Sequence, residues 1–357
     1  MNIAVGISGG VDSAVAAVLC KSQGHNVTGV IMKIWDENSS YEDIDPTRHA
    51  CYGPEEKEDI DDAIRICETI DIPLHVIDCV EAFSRNILSY FKDTYRQGCT
   101  PNPCVFCNQQ LKFGLLPGLL QEQQLPIDYF ATGHYARVQK SADGSIHLLR
   151  ANDKSKDQSY FLYRLTQKQL EKTLFPLGDL SKEQVREIAR SNGLHIWDKA
   201  ESQDFFSGDY RSILKDGNEN TEGGLIVDTK GNVLGSHDGI WNYTIGQRKG
   251  LGIASSKPLY VIDIDPVKKS VVVGERDLLA KTRVTLSDFH QLEPFTADLT
   301  CKIRSSSAML KCQVAEARDT DVVVEFDFPV TGLCPGQSLV LYDKDTVIGG
   351  GIIQREE

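Results

Sequence analysis

Two stretches of this 357-residue chain hold reactive side chains at spacings that chemistry can use. The first is Ser8-Gly9-Gly10-Val11-Asp12-Ser13. Gly9 and Gly10 permit backbone angles and a close approach that a Cβ would block. The unpaired amides of a helix's first turn then suit an anion, and Ser8 and Ser13 add hydroxyl donors. Asp12 repels phosphate, so its expected task is to hold Mg²⁺ or an amide of the loop. No Gly-Lys-Ser/Thr follows the glycines and no G-x-G-x-x-G is present, so this is neither a Walker A loop nor a dinucleotide fingerprint. The second stretch is Cys104-Val105-Phe106-Cys107, with Pro101 and Pro103 ahead of it. The prolines restrict the backbone, which predicts thiols presented on a defined turn. Such a pair can be redox-active or nucleophilic, half of a zinc site, or two ligands of an iron–sulfur cluster. No second C-x-x-C supports an all-cysteine zinc site, and Cys51, Cys79 and Cys99 are candidates for a further ligand.

The elements around these stretches read as α/β. An apolar run from Ile3 to Ile7 enters the glycine turn, and helical spacing follows from Ala14 to Leu19. A second apolar strand spans Val27 to Lys33, and Asn38 to Glu58 is polar and predicts a mobile loop near the phosphate site. Helical spacing from Asp59 to Thr69 and a strand from Ile72 to Ile77 complete a βαβα order, the pattern of a Rossmann-like parallel sheet. Ligands in such sheets sit beyond the carboxyl ends of the strands, so the loops after Ile7, Met32 and Ala131 should be neighbours. Further strands are expected at Tyr129 to Thr132 and Ile146 to Arg150, and helices at Phe83 to Arg96, Thr166 to Leu174 and Lys182 to Ser191. We expect a nucleotide and catalytic domain over 1–207 and a small central domain over 208–274. Short alternating strands over 275–357 predict a C-terminal β-barrel.

Composition sets limits. The chain is 41% hydrophobic and 25% charged, ordinary for a globular protein. No apolar stretch is long enough to cross a membrane, and the N-terminus enters a strand with no signal-peptide layout, so the expected location is the cytoplasm. The net charge of −13 weighs against general nucleic-acid binding, DNA included, because phosphate neutralisation drives much of that affinity. A local basic patch escapes this argument, and Arg248 and Lys249 supply local positive charge. The ten cysteines are not spaced as a secreted disulfide framework.

Ser8 to Ser13 resembles the PP-loop, S-G-G-x-D-S, of ATP pyrophosphatases that cleave between the α and β phosphates. Nearly the whole chain resembles the tRNA-specific 2-thiouridylase family. The strings that carry this are Thr100-Pro101-Asn102-Pro103 with Cys107-Asn108, Ala131-Thr132-Gly133-His134-Tyr135 and Lys156-Asp157-Gln158-Ser159-Tyr160-Phe161-Leu162. Others are Tyr243-Thr244-Ile245-Gly246-Gln247-Arg248-Lys249-Gly250-Leu251-Gly252-Ile253, Pro335-Gly336-Gln337 and Gly349-Gly350-Gly351-Ile352-Ile353.

The resemblance implies ATP-dependent thiolation of the wobble uridine of Lys, Glu and Gln tRNAs. ATP adenylates O2 of the uridine, pyrophosphate leaves, and sulfur displaces AMP at C2. It places ATP at Gly6, Ile7, Ser8, Gly9, Gly10, Val11, Asp12, Ser13, Met32 and Gly133. It makes Cys107 the catalytic nucleophile and puts Asn102, Pro103 and Cys104 at the target base. It puts tRNA against His134, Lys156, Asp157, Gln158, Arg304, Ser305 and Gln337. Sulfur would come from a protein relay or from sulfide.

Two departures stand out. Cys104 occupies the place of the family's aspartate in Asn-Pro-Asp, and Phe206 stands about where a second catalytic cysteine belongs. Either Cys104 replaces the missing thiol and alternates with Cys107 through persulfide and disulfide, or Cys104, Cys107 and a third cysteine hold a [4Fe-4S] cluster. Otherwise thiolation is lost and a non-catalytic tRNA-binding homologue remains. The other enzyme class open to such a loop is a small-molecule adenylating amidotransferase or ligase.

Overall fold

The computed structural model describes residues 1–39, 41, 50–200, 204–215 and 223–356. The chain divides into two compact units. One comprises 1–87, 104–209 and 345–347, and the other 88–103, 210–344 and 348–357.

In the first unit, strands β1 (Asn2–Gly6), β2 (Asn26–Lys33), β4 (Leu74–Asp78), β5 (Tyr129–Thr132) and β8 (Thr173–Leu174) form one parallel sheet in the order β4-β2-β1-β5-β8. β1 sits at its centre, pairing Ile3 with Val27 on one side and Tyr129 on the other. Ile3, Ala4 and Val5 are all buried, which is why β1 reads as a continuous apolar run and not as an alternation. Helices α1 (Val11–Ser22) and α2 (Glu56–Thr69) pack on this core through Val15, Ala63 and Ile66. The helix Lys182–Ser191 starts as expected, at a capping box between Ser181 and Gln184. The expected helix to Leu174 ends at Glu171, because Thr173 and Leu174 pair with Phe130 and Ala131 as the sheet's last strand. A hairpin, β6 (Ala136–Lys140) and β7 (Ile146–Arg150), and a short parallel pair, β3 (Ala50–Tyr52) with β9 (Asp204–Phe206), complete this unit. Of the loop expected over Asn38 to Glu58, residues 40 and 42–49 lie outside the described residues, while Ala50–Tyr52 form β3 and Glu56 opens α2.

In the second unit, β10 (Gly224–Asp228), β11 (Val233–His237), β12 (Tyr260–Asp265) and β13 (Ser270–Gly274) form a four-stranded sheet in the order β11-β10-β13-β12. The last six strands are β14 (Lys281–Gln291), β15 (Leu299–Lys302), β16 (Leu310–Arg318), β17 (Asp321–Val330), β18 (Ser338–Asp343) and β19 (Thr346–Ile353). They run in the order β14-β17-β16-β15-β18-β19, and β14 also pairs with β19, so the barrel closes. Its interior is filled by Leu286, Cys301, Val324, Leu339 and Leu341. Thr100 and Pro101 fall in this unit. The Thr100 amide donates to the Pro335 carbonyl at 2.8 Å, and Gln337 Nε2 donates to the carbonyls of Pro101 and Thr100 at 2.7 and 3.3 Å.

Candidate active site

The glycine turn leaves β1 and opens α1, as its residues require. Gly9 sits at φ +69°, and a Cβ there would stand 2.7 Å from the Asp59 carbonyl oxygen. Gly10 caps α1 without a side-chain hydrogen bond, leaving the first-turn amides to a ligand. Ser13 Oγ accepts from the Ser8 amide at 3.0 Å and donates to the Gly10 carbonyl at 3.0 Å, which fixes the turn from within. Gly133, at the end of β5, presses against α1, and a Cβ on it would lie 2.6 Å from the Asp12 carbonyl carbon and the Ser13 nitrogen. Asp12 is engaged by side chains from distant parts of the chain. Its carboxylate accepts from Lys182 Nζ at 2.8 and 2.9 Å and from the Tyr135 hydroxyl at 2.8 Å. On the far side of the turn, Lys199 Nζ donates to Asp59 at 2.9 Å, Asp62 at 2.6 Å and the Gly9 carbonyl at 3.3 Å. Burial works to raise Asp62, but hydrogen bonds from Lys199 and His195 outweigh it and hold the group below its usual range.

A cavity of about 270 Å³ opens at this end of the sheet. Gly6, Ile7, Ser8, Asp12, Ser13, Met32 and Gly133 line it, so the three expected loops do meet. Gly9 and Gly10 shape its turn, and Val11 is buried in the core. Glu56 shapes the wall after β2 by accepting from the Ile34 and Trp35 amides at 2.6 and 3.0 Å. His134 and Gln158 also line the cavity. His134 Nδ1 bonds Thr132 Oγ1 at 2.8 Å, and burial, assisted by the Lys112 charge, pushes the imidazole down to about 3. It is therefore a neutral ring at pH 7 and not a cation for phosphate.

The paired cysteines do not lie on a turn. Pro103 opens a helix (Pro103–Phe106) that continues as a wider, π-wound stretch from Cys107 to Leu115. All ten cysteines are thiols without a disulfide. Cys104 and Cys107 are partly accessible, yet protein surrounds them closely enough that burial pushes Cys107 up to about 11 and Cys104 up to about 12. Charge at Cys51 acts on both thiols, and the Lys112 ammonium pulls both back down. Cys51 and Lys112 also line the cavity. Phe206 is buried among Tyr52, Phe205 and Tyr41, an aromatic wall with no sulfur in it.

Residues 1–206 match a family described as the tRNA methyl transferase HUP domain, 212–275 the tRNA methyl transferase PRC-barrel domain, and 276–353 the aminomethyltransferase beta-barrel domain. Over 99% of both chains, this one is 45% identical to tRNA-specific 2-thiouridylase MnmA of Endomicrobium trichonymphae. It is 42% identical to the protein of that name from Geotalea uraniireducens, over 99% of this chain and 95% of that one. With that of Clostridium perfringens the identity is 42% over 99% and 98%. The chain belongs to the tRNA-specific 2-thiouridylase family. ATP with Mg²⁺ is the pairing that goes with a PP-loop of this family.

The 2-thiouridylase tRNA positions divide by structure. Arg304 and Ser305 are exposed, and so are Arg248 and Lys249. Lys156 is partly exposed. Asp157 is different. Its side chain is fully buried, accepting from Arg150 Nε at 3.0 Å, the Ala151 amide at 3.1 Å and the Ser159 amide at 3.2 Å. It holds its segment together. Asn102 is buried, with its amide donating to the Tyr90 hydroxyl at 3.1 Å, and Gln337 is engaged by the Thr100 and Pro101 carbonyls. Sequence reasoning missed Lys182, Lys199 and Lys112. Lys182 and Lys199 meet the loop from 170 and 190 residues away, a separation no spacing rule covers.

Proposed function

We propose that this chain is an ATP-dependent tRNA-uridine 2-sulfurtransferase acting on the wobble uridine of Lys, Glu and Gln tRNAs. One observation carries the proposal: the PP-loop cavity and the Cys104/Cys107 pair share Lys112, so activation and sulfur delivery lie side by side. The loop amides with Ser8 and Ser13 bind the phosphates. O2 of uridine attacks the α-phosphorus, pyrophosphate departs, and an oxygen that was a poor leaving group now carries AMP. Asp12, where the Lys182 ammonium already sits, is the residue that would hold Mg²⁺, whose charge would offset that on the departing pyrophosphate. Sulfur then attacks C2, with Cys107 as the catalytic thiol and Cys104 beside it in place of a carboxylate.

We assign the sulfur to thiols and not to an iron–sulfur cluster. Among the described residues no three Cys, His, Asp or Glu side chains are arranged to hold a metal ion. The donor is a persulfide-bearing relay protein or sulfide. Arg304, Ser305, Arg248, Lys249, Lys156 and Gln158 are the proposed phosphate and base contacts, and of these Gln158 lines the cavity. No helix among the described residues is long and apolar enough to cross a membrane. The test is nucleoside mass spectrometry of tRNA incubated with the protein, ATP and sulfide or a persulfide donor. 2-Thiouridine at position 34 is expected, and its loss in Cys107→Ala. Absence of both AMP and 2-thiouridine with the wild-type protein would overturn the assignment.

A further inference from the structure

Strand β3 alternates sharply. Ala50 and Tyr52 are buried, and Cys51 between them is exposed. Its parallel partner β9 sets Ala50 level with Asp204 and Tyr52 level with Phe206. Phe206 is 1% exposed, with its ring 6.0 Å from that of Tyr52, which in turn stacks on Phe83 at 5.0 Å. The strand pair therefore builds an aromatic wall on one side and shows a thiol on the other. Successive residues of a strand point to opposite faces, so Cys51 faces away from the wall that swallows position 206. On that open side Cys51 lines the nucleotide cavity with Ser8, Ser13 and Lys112. Cys104 and Cys107 are less accessible and stand outside the cavity lining, but close enough that charge at Cys51 acts on both.

Resting on the sulfurtransferase reading above, we propose that Cys51 takes sulfane sulfur from the donor and presents it to the activated uridine, with Cys107 as the thiol that frees the product. A macromolecular donor reaches an exposed thiol more readily than a partly covered one, which favours Cys51 as acceptor. The Cys51 thiolate attacks the outer sulfur of the donor persulfide. The donor leaves as a thiolate, and Cys51 carries the new persulfide. The terminal sulfur of that persulfide attacks C2, the C2–O bond breaks, and AMP departs with the electron pair. The Cys107 thiolate then attacks Cys51 Sγ. The bond from Sγ to the sulfane sulfur breaks, its electrons stay on the sulfane sulfur, and 2-thiouridine is released. Sulfane sulfur is reduced as two thiols become a Cys51–Cys107 disulfide, which a dithiol reductant must reopen before the next turnover.

The test uses the full-length wild-type protein, with inorganic polysulfide as the sulfur probe and neither ATP nor tRNA present. Alkylation without reductant and peptide mass mapping then locate the added 32 Da (the mass of one sulfur, roughly). Persulfide on Cys51 is expected. Persulfide confined to Cys104 or Cys107, or none at all, overturns the proposal. A single turnover with tRNA and ATP but no reductant should then yield the Cys51–Cys107 disulfide, and a Cys104–Cys107 disulfide in its place also overturns it. Cys51→Ser should lower 2-thiouridine formation at least 100-fold, and a wild-type rate would refute the assignment. If the wild-type protein forms persulfide on Cys51 yet never thiolates tRNA, it is the sulfurtransferase reading that fails.

Discussion

Gly133→Ala probes how the site is built, because its effect follows from the clearance around that backbone. Gly133 has no left-handed backbone to protect, so alanine meets no conformational penalty there. What it meets is backbone. The new Cβ would sit 2.6 Å from both the Asp12 carbonyl carbon and the Ser13 nitrogen, where ordinary contact begins at 3.4 Å. The end of β5 and the first turn of α1 must therefore part by about 0.8 Å. Backbone cannot swing aside as a side chain does, so overpacking should cost about 1–3 kcal/mol. The larger effect should be on activation. Displacing the phosphate-binding amides by nearly 1 Å can cost about 100-fold in rate. The assays are thermal unfolding and tRNA-dependent AMP formation, with Gly118→Ala as the control. A Cβ at Gly118 finds no atom within 4 Å, so that helical glycine should gain up to about 1 kcal/mol on becoming alanine. A Gly133→Ala protein that melts and forms AMP like the wild type would refute the proposed packing of loop against strand.

Asp157→Ala should lower unfolding free energy by about 1–3 kcal/mol in urea, because it removes the buried acceptor of Arg150 Nε and of the Ala151 and Ser159 amides; unchanged stability with weakened tRNA binding would instead make Asp157 a direct contact. Iodoacetamide should label Cys107 at a rate that rises about tenfold per pH unit from 7 to 10, since a thiol at about 11 is thiolate in roughly one molecule in 10⁴ at pH 7. Peptide mapping against time checks this, and a plateau below pH 9 contradicts the burial argument. His134 is depressed to about 3 when folded and titrates near 6.5 when unfolded, so below pH 6.5 only the unfolded chain takes the proton. Stability should fall by about 2 kcal/mol between pH 6.5 and 5 in the wild type and not in His134→Gln, measured by urea unfolding.

The parallel sheet was legible because its signal is local. Apolar runs such as Ile3 to Ile7 stay apolar only when both faces of a strand are covered, and β1 is such a strand. The PP-loop was legible because the left-handed backbone at Gly9 and the contact of Gly10 with Ser8 are local, whereas the Asp59 carbonyl that also crowds Gly9 comes from α2. The barrel strands showed their alternation, but in β14 it is confined to Arg283 to Ser287. Its eleven residues, Lys281–Gln291, are mostly polar outward and earn their place by pairing with both β17 and β19. The role of Asp157 was not legible. As a string, Lys156-Asp157-Gln158 looks like a contact motif, and only the fold shows its middle carboxylate turned inward to Arg150. Cys104 and Cys107 were found from spacing, but the helical wind that carries them was not, because prolines 101 and 103 signal a turn and a helix start equally well.

That wind bears on the chemistry. Lys112 lies five residues beyond Cys107, and in an α-helix a residue five along points roughly 140° round the axis. The stretch from Cys107 to Leu115 is instead wound with i→i+5 bonds, which brings such a residue back toward the same side. Lys112 can then line the nucleotide cavity and still act on both thiols. The two half-reactions both build negative charge, first on the departing pyrophosphate and then on sulfur. We propose that the Lys112 ammonium serves both, because it lines the cavity and its charge acts on both thiols. An uncharged residue at 112 would leave the thiols higher still and the phosphates short of a cation, so the wider helix is what lets activation and sulfur transfer share one site.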